Sequence, residues 1–297
     1  MTSNDSTNQV NQLTGIRCVF VSDLHGSAVR YRNLWSVIEN ERPQAVFLGG
    51  DLLPNTWAAA LGGGDFIAEF LVPGFHGLRT TMGSDYPQVF LILGNDDDRS
   101  SEQDFIGGEK DRLWCYVHER WDSVGSIPVF GYGCVPPTPF QLKDWERYDV
   151  SRFTDPGCVS PERGVRTVLR DADDVKHGTI AGDLERLTEG RDVDDAILLF
   201  HSPPYGTSLD RAALDGRTVD HVPMDVHVGS IAVQRFIENR QPLVTLHGHI
   251  HEAPRLTGAW RIVIGRTHCL TAAHDGPELA VVRFDPADLE SASRELI

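Results

Sequence analysis

The sequence predicts an α/β fold from three observations. Apolar, β-branched runs recur along the chain, helix-period stripes lie between several of them, and most runs stop at carboxylate, amide or imidazole side chains, usually with glycine beside them. The runs cover residues 16–21, 45–48, 89–93, 127–130, 196–200, 243–246, 260–264 and 279–284. Continuous apolar runs of this length fit strands covered on both faces. After the first run, Leu34, Val37 and Ile38 recur at helical spacing, and Pro43 stops the helix. Before the 243–246 run, Ile231, Val233, Phe236 and Ile237 form a second stripe, with Ser230 placed as N-cap.

At 297 residues and 40% apolar content, the chain can bury the core of one large domain or two small ones. Its 27 basic and 43 acidic side chains give a formal charge of −16. That balance repels polyanions, so long nucleic acid is disfavoured as a partner. An anionic substrate would need local positive charge, which bound metal can supply. Cys18, Cys115, Cys134, Cys158 and Cys269 are scattered and include no Cys-x-x-Cys pair, which predicts free thiols in a reducing compartment. No stretch approaches the roughly 20 apolar residues that span a bilayer, and residues 1–14 lack the apolar core of a signal peptide. The expectation is a cytoplasmic protein without a membrane partner.

Residues 1–14 read as a disordered tail, residues 289–297 as a C-terminal tail, and the polar, weakly patterned residues 138–182 as a surface insertion or cap. Gly62-Gly63-Gly64 follows no strand and lacks the Lys-Ser/Thr partner of a phosphate loop, so it reads as a flexible loop.

The chemistry lies where the apolar runs end. They stop in Asp23-Leu24-His25, in Gly49-Gly50-Asp51, in Gly94-Asn95-Asp96-Asp97, in His201, and in Gly248-His249-Ile250-His251. Open α/β sheets bind ligands beyond the carboxyl ends of their strands. Each piece alone is a common turn or cap; five in succession deliver oxygen and imidazole donors to one edge. Mixed His, carboxylate and amide donors suit Mn²⁺, Fe²⁺, Zn²⁺ or Ni²⁺ better than Ca²⁺.

In this order the motifs Asp-x-His, Gly-Asp, Gly-Asn, His and Gly-His-x-His resemble the calcineurin-like metallophosphoesterase superfamily, over about residues 18–251. The resemblance implies a four-layer αββα sandwich of two mixed sheets, forming a single domain over residues 15–288. It implies two divalent metal ions, with Mn²⁺ the first expectation. One would be held by Asp23, His25, Asp51 and His251, the other by Asp51, Asn95, His201 and His249, with Asp51 bridging. The implied activity is phosphoester hydrolysis, in which a hydroxide bridging the metals attacks phosphorus in line. Water between two such cations ionises near pH ~7, and the cations neutralise charge in the transition state. Asp51, Asn95, Asp96 and His201 would then surround the reacting centre.

One position departs from the pattern. Many relatives carry His directly after Gly-Asn, where this chain has Asp96. An ionised Asp there repels a dianionic monoester more than a monoanionic diester, which favours phosphodiesterase activity on a small substrate, a nucleotide among the candidates. The alternatives are a phosphomonoesterase acting on phosphoproteins or nucleotides, and an inactive scaffold that binds partners. Asp97 is expected to support the ligands, and His247 to sit in the core. His227 could line the site, though a role at a helix entry accounts for it more simply; Tyr205 and Thr207 could touch substrate, though loop geometry is the simpler explanation; Arg99 and Arg255 could pair with phosphate. The sequence leaves the oligomeric state open.

Overall fold

The computed structural model describes residues 15–54 and 64–297. The expected N-terminal tail, and Gly62 and Gly63 of the glycine run, lie outside the described residues.

Two six-stranded mixed sheets form the frame. In the first, β1 (Cys18–Val21), β2 (Ala45–Gly49), β3 (Gln88–Ile92) and β4 (Cys115–Tyr116) run parallel. The antiparallel strands β13 (Ala280–Asp285) and β14 (Asp288–Leu296) extend it beyond β1. In the second, β6 (Ile127–Tyr132), β7 (Ile197–Phe200), β10 (Val244–His247) and β12 (Thr267–Thr271) run parallel. Antiparallel β5 (Trp121–Val124) and β11 (Arg261–Ile264) form its edges. A small hairpin, β8 (Thr218–Val219) and β9 (Val222–Pro223), stands apart.

Strand side chains alternate, so each sheet has two apolar faces. Phe20, Phe47, Phe90 and Ile92 belong to the core shared with Ile197, Leu199, Val244 and Leu246 of the second sheet. Val19, Val21, Val46, Leu48, Val89 and Leu91 pack instead with the helices. Phe20, Phe47 and Phe90 lie in register on adjacent strands, and the Phe47 and Phe90 rings stack at 5.3 Å. Fully burying one such ring stabilises the fold by about 1.5–3 kcal/mol.

Helix α1 (Ala28–Glu41) begins where the Ser27 side chain accepts from the Arg30 N–H and ends at a left-handed Arg42, just before Pro43. Its buried Leu34, Val37 and Ile38 are the stripe read from the sequence. It packs against α2 (Val72–Met82), which continues directly from a π-helical turn at Ile67–Leu71. The shorter α3 (Glu102–Lys110) and α4 (Ala172–His177) follow. α5 (Ile180–Leu187) and α6 (Ile231–Arg240) pack together against the second sheet, and Ser230 caps α6 by accepting from Val233 N. α7 (Ala253–Thr257) follows the last candidate ligand. Helix, sheet, sheet and helix make the four expected layers.

Two regional expectations change. Residues 289–297 are no tail, because 289–296 lie in β14, an edge strand that buries Leu289 and Ala292 and pairs on one side only. Its open face explains the polar sequence. Residues 138–182 lie only partly at the surface. Phe140, Phe153 and Leu169 are exposed, but Trp145, Lys143, Glu146 and Arg147 are buried, and Lys143 pairs with Glu146 in the interior. That buried ion pair is why the stretch looks superficial in sequence. Strands β5 and β12 and helix α2 also carry too little periodicity to be read from sequence.

Candidate metal centre

The parallel strands of both sheets point their carboxyl ends at one edge. Asp23 and His25 follow β1, Asp51 follows β2, Asn95 follows β3, His201 follows β7, and His249 and His251 follow β10. Four of these residues hold left-handed backbone without being glycine: Asp23 (φ 57), His25 (φ 47), Asp51 (φ 54) and His249 (φ 72). Such conformations are uncommon and cluster at functional sites. Hydrogen bonds between the loops enforce them: Asp23 N donates to Gly50 O at 3.0 Å, and His25 N to Asp51 O at 2.8 Å.

The side chains form two groups that could each hold a metal ion. Asp23, His25, Asp51 and His251 offer ligand atoms within 4.8 Å of one another, as do Asp51, His201 and His249. Asp51 is common to both. Asn95 Oδ1 lies 3.1 Å from His201 Nε2, which brings the amide to the second group. Its own Nδ2 donates to Asp96 Oδ1 at 3.0 Å, turning the carbonyl oxygen toward the cluster. All seven sequence-predicted donors therefore converge.

The donor set fits a cation. His201 Nδ1 lies 2.7 Å from Gly49 O, so this nitrogen carries the proton and donates. In the neutral ring Nε2 is then a bare acceptor, yet it faces Asp51 Oδ2 at 3.2 Å and Asn95 Oδ1 at 3.1 Å. Three acceptors meeting in a buried place need a positive charge among them. The same holds for His25 Nε2 and His251 Nε2, which are 3.1 Å apart with Asp23 Oδ1 at 3.3 Å from the latter. Asp23 Oδ2 is buried with no hydrogen-bond partner among the described residues.

The protonation balance reflects this crowding. Burial pushes the His201 imidazole down, but Asp51 outweighs it and raises the ring to about 10. Burial likewise opposes a charged His251, and Asp23 overrides it, to about 9. His249 has no such partner; burial, then His201, lowers it to about 3, so it stays neutral. Burial raises Asp23, yet His251 brings it down to about 2, and Asp51 is lowered against its burial by His201.

Close approach is built in by glycine. A Cβ on Gly94 would lie 2.4 Å from Asp51 Oδ1 and 2.6 Å from His201 Nε2. One on Gly248 would lie 2.0 Å from Ser22 Oγ and 2.8 Å from Asp23 Oδ2.

Asp97 supports the cluster from behind. Its buried carboxylate accepts from Leu52 N, Leu53 N and Gly94 N at 2.7–3.1 Å, tying the loop after β2 to the loop after β3. Burial and Asp51 push it up to about 8 against those donors. Asp96 is partly exposed, its Oδ2 3.7 Å from His25 Nδ1, and its N–H donates to Asp51 Oδ1 at 2.8 Å. Burial, then Asp51, raises its pKa.

The remaining sequence candidates have other partners. His247 is buried on β10, where Nδ1 donates to Ser202 O at 3.0 Å and Nε2 accepts from Thr245 Oγ1 at 2.8 Å. Arg99 lies 4.3 Å over the Trp145 ring and bonds Glu102. Arg255 bonds Asp275 at 2.6 Å, Tyr205 bonds Asp225, Thr207 bonds Pro204 O, and His227 bonds Asp210. Arg30, which carries no motif, donates to Asp23 O and Gly276 O and so steadies the first loop.

A family model described as calcineurin-like phosphoesterase matches residues 16–253. No curated protein matches the sequence. Among solved structures, TT1561 of Thermus thermophilus is similar at 15% identity and a TM-score of 0.55, covering 95% of this chain and 99% of its own. A dimetal phosphatase from Danio rerio gives 13% identity and 0.49, covering 91% and 95%. An archaeal phosphodiesterase gives 9% identity and 0.43, covering 95% and 100%.

Proposed function

The chain belongs to the calcineurin-like phosphoesterase family, and on that premise we propose that it is a dinuclear metal-dependent phosphodiesterase acting on a small phosphoester. The observation that carries the proposal is the sharing of Asp51 by two donor groups. One carboxylate serving both would tie two cations into a single centre. Asp23, His25, Asp51 and His251 would hold one ion, and Asp51, Asn95, His201 and His249 the other. Mixed nitrogen, carboxylate and amide donors suit Mn²⁺, Fe²⁺, Zn²⁺ or Ni²⁺, and Mn²⁺ is the first choice to test. When bound, such a pair supplies Lewis acidity toward the phosphoryl oxygens and lowers the pKa of bound water.

The protein's own groups do the rest. The Gly49 carbonyl fixes the His201 tautomer so that Nε2 faces inward. Asp97 keeps the Asp51 and Asn95 loops in register. Asp96, reaching toward His25 at the open side of the cluster, meets the substrate's own charge. A carboxylate there disfavours a dianionic monoester relative to a monoanionic diester. The chain's acidity supports a small substrate over long nucleic acid, and five unpaired cysteines fit a reducing, cytoplasmic setting.

The test is turnover of matched p-nitrophenyl diester and monoester substrates with Mn²⁺ added. The diester should be preferred, and Asp96→His should raise monoester turnover relative to diester. An unmoved ratio would remove Asp96 from the argument, and a wild-type preference for the monoester would replace the diesterase reading with the phosphatase one.

A further inference from the structure

The chain between β7 and α6 carries a His–carboxylate pair that belongs to neither donor group. Asp210 is fully buried, and its oxygens accept from Gly206 N at 2.9 Å, Thr207 N at 2.9 Å and Gly229 N at 3.2 Å. With both oxygens engaged as acceptors, the approach of His227 Nδ1 to Oδ1 at 2.8 Å is a donation by the ring. The proton therefore sits on Nδ1. The His227 side chain is 33% exposed, so its open side is the far one, with Nε2, which no described residue bonds. A buried carboxylate behind one imidazole nitrogen fixes the tautomer and the ring plane, which lets the other nitrogen hand over a proton. Three backbone N–H groups already tie this loop to Asp210, so the imidazole is surplus to holding it together.

The fold sets this pair beside the metal edge. His227 bridges Arg211, and Val226 O accepts from Ala212 N at 2.8 Å, so the two segments run as a short ribbon. One end is fastened behind His201: Ser230 N donates to Pro203 O at 2.9 Å, and a Cβ on Gly229 would lie 2.5 Å from that same oxygen. The other end is fastened behind His251: Ala213 N donates to Glu252 Oε1 at 3.0 Å, and Thr257 Oγ1 of α7 donates to Ser208 O at 3.1 Å. The ribbon thus stands at the rim between His201 of one donor group and His251 of the other.

We propose that His227 gives the leaving alcohol its proton, with Asp210 as its positioning residue. The inference deepens the phosphoesterase reading and rests on it. Phosphoester hydrolysis expels an alkoxide, and Asp96 is already engaged as the acceptor of the Asn95 amide at 3.0 Å. As the bond from phosphorus to the attacking water oxygen forms, the bond to the alcohol oxygen breaks. The electron pair stays on that oxygen, and His227 Nε2 supplies its proton. The imidazole is left neutral, with Nδ1–H on Asp210, and takes back from solvent the proton that the attacking water shed.

Methyl p-nitrophenyl phosphate and methyl phenyl phosphate differ in how much the leaving oxygen needs a proton. With Mn²⁺ added, His227→Gln should cost about 100-fold more in kcat/KM on the phenyl ester than on the p-nitrophenyl ester, and Asp210→Asn should show the same selectivity. Both variants should keep wild-type metal content by elemental analysis, which a collapse of the loop behind His201 would lower. In the metal-free protein, nitrogen NMR of the imidazole should place the His227 proton on Nδ1, and Asp210→Asn should shift it toward Nε2. Equal losses on the two esters, with or without loss of metal, overturn the inference and leave the phosphoesterase reading in place. So does a wild-type ring with its proton on Nε2. No turnover of either ester by the wild type overturns both.

Discussion

Replacing Gly94 with alanine tests whether the loops after β2, β3 and β7 meet as tightly as their geometry requires. The added Cβ would lie 2.4 Å from Asp51 Oδ1, 2.6 Å from Asp51 N and 2.6 Å from His201 Nε2. Carbon contacts are comfortable only from about 3.5 Å, so about 1 Å of movement is needed. None of the three neighbours yields freely. One is backbone, one is the carboxylate common to both donor groups, and one is a ring pinned to Gly49 O at 2.7 Å. Gly94 is not among the glycines with left-handed backbone, so the effect is steric and acts on the donors. Displacing catalytic groups by about 1 Å costs on the order of 100-fold in rate, while the overpacking costs about 1–3 kcal/mol of stability. Gly94→Ala should therefore remain folded, lose metal, and fall about 100-fold in kcat/KM on a diester, measured by elemental analysis, circular dichroism and steady-state kinetics. Gly107→Ala is the control, because a Cβ there meets nothing within 4 Å. It lies inside α3, so alanine should stabilise by about 0.5–1 kcal/mol. A Gly94→Ala enzyme with wild-type metal content and turnover would refute the reasoning.

Asp51→Ala should remove both ions and abolish turnover, and retention of either ion would contradict a bridging role. Burial holds His247 at about 4 against 6.5 for a free imidazole, so the unfolded chain takes up the proton first. Its contribution is complete above pH ~6.5 and is lost as pH falls toward ~4, by up to about 3 kcal/mol. His247→Gln should flatten the denaturant-derived stability profile across that window; an unchanged slope would assign the acid sensitivity elsewhere. Lys143→Met should cost about 3–5 kcal/mol by stranding the Glu146 charge, and adding Glu146→Leu should recover most of it. Chemical denaturation of the single and double variants checks this, and additive losses would argue against the pair.

The sequence made the chemistry legible because each donor sits where an apolar run ends, and glycine marks most of those ends. His201 and His249 could thus be placed at one edge although 48 positions separate them. The stripes of α1 and α6 were equally readable, since each buries one apolar face and begins at a serine cap. Other features leave no such mark. The left-handed backbone at Asp23, His25, Asp51 and His249 arises from loop hydrogen bonds between distant segments, and nothing in the residue types requires it. The same is true of Arg30, whose role depends on two carbonyls, one of them at Gly276. Residues 138–182 read as surface because a buried Lys–Glu pair has the composition of an exposed one. β14 read as a tail because an edge strand is polar on its free side.

The row formed by Phe20, Phe47 and Phe90 has a consequence well away from the rings. Sliding one parallel strand by a single residue would shift its terminus about 3.3 Å and turn every side chain on it to the opposite face. Aromatic groups locked against the neighbouring sheet forbid that slip, so the greasy interior works as a ruler that sets the height of each donor at the rim. Substitutions deep between the sheets should therefore be felt first as altered ion affinity, before any loss of folded protein is detectable.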